Sequence, residues 1–161
     1  MIASTAVTTG IFVLAGVLVG GLVTGAVNYV LERRREQASA QVALRLLESE
    51  LTHAGNAVET AIERSFWAPW NFARTHRTWD EHRAEAARVL SDGEWQTVAR
   101  GFRGIDALER GFGDWKIGEE IRPDGLILLR QIRKTSYEGA NALRQRMGMD
   151  LIPPDRIEQE A

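Results

Sequence analysis

Hydrophobic and polar positions are distributed along this chain in two different ways. From Ile11 to Leu31 the side chains are apolar or small apart from Thr24, Asn28 and Tyr29, and none is Asp, Glu, Lys, Arg or His. The run stops at Glu32-Arg33-Arg34-Arg35. As a helix its 21 residues rise about 1.5 Å each, roughly 31 Å in all, close to the hydrocarbon thickness of a bilayer. Beyond it, apolar residues recur three and four apart, the spacing of helices that bury one face.

The first regime predicts a transmembrane helix over residues 11–31. A cleavable leader needs a basic start and a short apolar core ending in small residues, whereas residues 1–10 carry no charged side chain and the apolar run is long. A buried core helix of this length would show a polar face. Arg33, Arg34 and Arg35 flank only the C-terminal end, and basic flanks stay in the cytoplasm. The expected location is therefore the cell membrane, single-pass, with residues 1–10 as a short extracytoplasmic N-terminus. Gly16 with Gly20, and Gly21 with Gly25, form two small-xxx-small pairs of the kind that let membrane helices approach closely. Gly21, Gly25 and Asn28 share one face, so the expected partners are the lipid bilayer and either a second copy or another membrane protein. The competing reading is that glycine is common in membrane helices and Asn28 is wetted at the interface.

The second regime predicts an all-α fold: the anchor continues into an antiparallel cytoplasmic bundle of about four helices over residues 32–148, followed by a flexible tail, 149–161. Leu44, Leu47, Leu51, Ala54, Val58 and Ala61 form the inner face of the first bundle helix, with Ala43, Ile62 and Phe66 beside them. Val42 and Leu46 lie on its other side. Unbroken to Phe66, the stretch from Glu32 would reach about 52 Å from the membrane. Pro69 ends it within Ser65-Phe66-Trp67-Ala68-Pro69-Trp70-Asn71-Phe72. This aromatic corner is either a hydrophobic plug or a recognition surface, and Trp67, Trp70 and Phe72 are its candidate partner residues.

Punctuation sets the remaining helices. Thr78-Trp79-Asp80-Glu81 and Ser91-Asp92-Gly93-Glu94 both fit a capping box. Trp95, Val98, Ala99, Phe102, Ile105, Leu108 and Phe112 then share a face. Gly113 to Pro123 reads as a connector, with Asp124 capping the last helix. That helix presents Leu128, Leu129, Ile132, Ala140, Leu143 and Met147, thinned at Ser136 and Gly139 to admit a close neighbour, and Gly148 stops it. No segment alternates with period two between hairpin signals, so no sheet is predicted.

Composition narrows the function classes. With 20 Lys+Arg against 22 Asp+Glu the net charge is −2, and the basic residues are interleaved with acids, unlike a nucleic-acid binder. The absence of cysteine removes disulfides and thiolate metal sites. His76 and Asp80 stand at i, i+4, but His82 faces elsewhere and no H-E-x-x-H pattern occurs. Asp106 and Glu109 near an apolar face invite an acid–base reading; Arg103 and Arg110 offer them ordinary rim ion pairs instead. Gly101, Gly104 and Gly111 lie in a helical pattern with no strand before them, so they are no phosphate cradle. No metal and no cofactor is expected.

The order of a basic-flanked anchor, a leucine-rich helix, a Trp-rich turn, Thr78-Trp79-Asp80-Glu81-His82-Arg83 and Leu90-Ser91-Asp92-Gly93-Glu94-Trp95 resembles small single-pass membrane proteins of actinobacterial type. The resemblance covers about Leu31 to Phe112. It implies the topology and carries no catalytic residues across.

The function expected from these readings is a membrane-anchored helical interaction or adaptor protein and not an enzyme. The alternative is a signal relay, coupling a membrane partner to the cytoplasm through the continuous helix. A membrane-bound enzyme built on His76, Asp80 and His82, or on Asp106 and Glu109, ranks behind both.

Overall fold

The computed structural model describes residues 2–67, 72–112, 116 and 118–158, and their side chains from Gly20 onward except at 72–74 and 158. It contains α1 (Ile2–Arg64), α2 (Phe72–Ala87), α3 (Asp92–Phe112), α4 (Pro123–Met147) and α5 (Pro154–Glu158). Among the described residues there is no strand, only an isolated antiparallel bridge between Phe66 and Glu120. The fold is all-helical. The chain divides into two units, Met1–Ser39 and Ala40–Ala161.

The second unit is built as its periodicity requires. Leu44, Leu47, Leu51, Ala54, Val58 and Ala61 are all buried on α1, as are Val98, Phe102, Ile105, Leu108 and Phe112 on α3. Each fully buried Leu or Ile is worth about 2 kcal/mol. Phe66 departs from its expected place on the inner face: α1 has ended, and the side chain is exposed.

Neighbouring helices run antiparallel. On α1 and α4, Glu48 meets Arg144 while Asn56 meets Tyr137. On α2 and α3, His76 meets Glu109 while Trp79 stacks on Trp95, ring centroids 5.2 Å apart, and on Phe102 at 4.4 Å. The glycines of α3 are packing devices: a Cβ at Gly101 would lie 3.0 Å from the Thr135 carbonyl oxygen, and one at Gly104 2.9 Å from Thr135 Oγ1. On α4, a Cβ at Gly139 would stand 3.5 Å from Val98 Cα, the close approach for which Gly139 left room.

Three local signals resolve differently from expectation. The Thr78 box does not begin a helix, because α2 starts six residues earlier at Phe72 and Thr75 Oγ1 donates to buried Glu50 Oε2 at 2.9 Å. That tertiary contact holds the turn before Thr78 in the helix. The N-cap of α4 is Arg122, with no side-chain cap bond and Pro123 following. The arginine side chain has no acceptor to offer the first-turn N–H groups, Pro123 removes one of those groups, and Asp124 in the first turn complements the helix dipole instead. The tail is partly docked: Ile152 is buried and α5 returns to the bundle. The Ser91 box forms as read, Ser91 N–H donating to Glu94 Oε2 at 2.7 Å. Gly148 ends α4 at φ 67°.

Candidate functional site

The apolar run is described with its side chains only from Gly20; Gly16 and the stretch before it lie outside the described side chains. Every residue from Gly20 to Ser39 is exposed. Leu22, Val23, Val27, Tyr29, Val30 and Leu31 are between 47% and 74% exposed. A Cβ built at Gly20, Gly21 or Gly25 would meet nothing within 4 Å. Arg33, Arg34 and Arg35 are exposed, and Arg35 approaches Glu32 only to 4.0 Å. Among the described residues no helix is long and apolar enough to cross a membrane.

The aromatic corner is a plug where it can be followed. Trp67 is 6% exposed and stacks on Phe112 with centroids 4.9 Å apart. Its N–H donates to the Glu119 carbonyl at 3.0 Å and its carbonyl accepts from Gly118 N–H at 2.9 Å. Trp67 is therefore withdrawn from the candidate partner surface, because its ring is already spent on the core. Trp70 and the Phe72 side chain lie outside the described residues.

His76 joins the two carboxylates of α3 that the sequence singled out separately. Its Nδ1 lies 3.1 Å from Asp106 Oδ1 and its Nε2 2.6 Å from Glu109 Oε2, all three side chains being 34–49% exposed. A ring engaged at both nitrogens is a polar clasp between α2 and α3. The carboxylates stand at opposite ring nitrogens and do not converge on one point. No group of three or more metal-ligating side chains is placed to hold an ion among the described residues. Asp80 pairs instead with Arg83 at 3.5 Å. The expected rim pairing of Asp106 with Arg103 and Arg110 gives way to His76, whose helix packs against theirs. No local spacing signals that meeting.

A second polar cluster was not legible at all. The Tyr137 ring is fully buried, and its hydroxyl lies 2.9 Å from Asn56 Oδ1 and 2.8 Å from Glu59 Oε2. Arg156 of α5 donates to Glu59, to Asn56 Oδ1 at 3.1 Å and to the Tyr137 oxygen at 3.2 Å. Burial pushes the Glu59 carboxyl up, but the bonds from Arg156 and Tyr137 and the charges of Arg156 and Arg133 outweigh it and hold it below its usual range. Burial, then the bond to Glu59, raises the Tyr137 phenol well above the usual range. Tyr137 thus stays protonated and serves as a structural donor.

No protein-family profile, curated protein or solved structure matches the chain.

Proposed function

We propose that this chain is a membrane-anchored helical interaction module, with residues 11–31 in lipid and the bundle of residues 40–158 on the cytoplasmic side. One observation carries the reading: from Gly20 to Leu31 large apolar side chains stand exposed with no charged residue among them. Six of them left in water would be a severe solubility liability. In a bilayer the same side chains cost nothing, and the helix satisfies its own backbone groups. Gly21, Gly25 and Asn28, exposed on one face, suit close approach by a second copy or another membrane helix. The mechanism is localisation, the anchor raising the effective concentration of the bundle for a membrane-bound partner. Signal relay is the second reading, favoured by α1 running without a break through residues 32–39. The full chain should sediment with membranes, resist alkaline carbonate and enter detergent. Its pairing in a membrane two-hybrid assay should weaken several-fold in the double variant Gly21→Leu, Gly25→Leu. A chain left in the supernatant ends the anchor; unchanged pairing ends the glycine face.

A further inference from the structure

Residues 149–158 are held against α1 and α4 by polar clasps around one apolar peg. The peg is Ile152, 4% exposed, in the core cluster that includes Leu44, Leu47, Tyr137, Ala140 and Leu143. Asn141 reads the peg's backbone from both sides: its Nδ2 donates to the Ile152 carbonyl at 3.1 Å and its Oδ1 accepts the Ile152 N–H at 2.8 Å. Four residues on, Arg156 brings its guanidinium to Glu59, whose side chain is only 13% exposed. Arg144 adds a bond to the Asp150 carbonyl at 3.2 Å while holding Glu48 at 2.6 Å.

These features are those of a bound peptide. An amide pair fixing a backbone, an apolar socket and a carboxylate awaiting a cation would together read the pattern Ile-x-x-x-Arg. Against them stands the ordering of ten residues around one buried and one partly buried isoleucine, Ile152 and Ile157. Ile152 and Ile157 are a small part of the core they join, which Leu47, Leu51, Val98, Ile105 and Leu143 also build, so loss of the segment leaves most of that core in place. Pro153 and Pro154 restrict the segment before it docks, which lowers the entropy lost on binding.

We infer that residues 149–158 form a displaceable strap over a peptide-binding slot between α1 and α4, and that the slot's fitting partner is the same segment of a second copy. The occupant seated there already has the required chemistry, and an identical tail presents it again. This inference rests on the proposed membrane pairing only for the second copy's proximity, since two tethered chains hold their tails at high effective concentration.

The test uses the full-length chain in mild detergent with a labelled synthetic peptide of residues 149–161 as probe, read by fluorescence anisotropy. The Arg156→Ala chain, its own strap loosened, should bind the peptide about tenfold tighter than the wild type, whose closed strap masks the slot. A Pro153→Gly, Pro154→Gly chain should do the same without touching the slot, which covers the case of a misfolded first variant. Peptides carrying Ile152→Ala or Arg156→Ala should lose binding. Variants that keep the wild-type circular dichroism yet bind no better than wild type overturn the strap. Excess free peptide should also reduce pull-down of one tagged full-length copy by another when both carry Gly21→Leu and Gly25→Leu, which weakens the proposed pairing in lipid. Pull-down unaffected by a peptide that does bind, or absent altogether, overturns the second copy as occupant. Peptide binding does not depend on a bilayer, so failure of the anchor leaves a separate signature in the sedimentation assay.

Discussion

At Gly55 one absent methyl group decides how closely α1 and α4 meet. A Cβ there would lie 2.4 Å from Tyr137 Cε1 and 2.7 Å from Cδ1, closer than real atoms approach. The ring cannot simply retreat, being fully buried with its hydroxyl held by Asn56 and Glu59. Alanine is the better helix former by about 1 kcal/mol, while overpacking a filled core costs about 1–3 kcal/mol. The clash should win. Gly55→Ala is expected to lower unfolding stability by up to about 2 kcal/mol in a urea titration, the net of those two opposing effects. An unchanged or raised midpoint would mean that Tyr137 is freer than its bonds imply. Nothing in the residues around Gly55 names the ring it makes room for. The ring that needs the space comes from a helix distant in the chain, and local periodicity carries no record of such meetings. His76 with Asp106 and Glu109 was hidden in the same way, each residue conspicuous alone and the grouping visible only once α2 lies against α3.

Helix ends show which local signals survive tertiary packing. Ser91 with Glu94 was legible because both halves of that cap lie within one turn and nothing competes for them. Thr78 with Glu81 fits the same pattern and fails, since the contact of Thr75 with Glu50 carries α2 past it. The inner faces of α1, α3 and α4 were readable in outline, because burial imposes one period along a helix and Leu47, Val98 and Leu143 each obey it, whereas Phe66 falls outside it and the buried Tyr137 was missed. The C-terminus of α1 holds a different lesson. Ser65 ends it at φ 55°, its N–H donating to the Ile62 carbonyl at 3.2 Å and its carbonyl accepting from Ile121 N–H at 3.0 Å. That conformation costs an L-residue about 1–2 kcal/mol and a glycine almost nothing. The Ser65 bonds are all made by backbone atoms that glycine retains. Ser65→Gly should therefore stabilise the bundle by about 1 kcal/mol, less the extra freedom glycine has when unfolded, and raise Tm by a few degrees. A lower Tm on a calorimetric scan would show that the Ser65 side chain contributes more than its backbone strain costs.

Taken whole, the two units obey opposite solvent rules. In residues 40–158 large apolar side chains are mostly inside, whereas from Leu22 to Leu31 they face outward. On the proposed anchor the second set meets lipid, and the charge distribution then predicts which way the chain points. No basic residue precedes Ile11, and Arg33, Arg34 and Arg35 follow Leu31 at once. An inward-facing basic flank sets orientation for short loops and the residues close to a span. A fluorescent reporter that matures only in the cytoplasm, fused after Ala161, should therefore be bright in the wild type. Replacing Arg33, Arg34 and Arg35 by Glu removes that bias, and adding three Lys ahead of Ile11 places it at the other end. The combined variant should lose most of its fluorescence while still sedimenting with membranes, and the Arg→Glu change alone should give a mixture. A dark wild-type fusion would put the bundle outside, and with it any partner that Val42 and Leu46, exposed on α1 away from the core, were to meet.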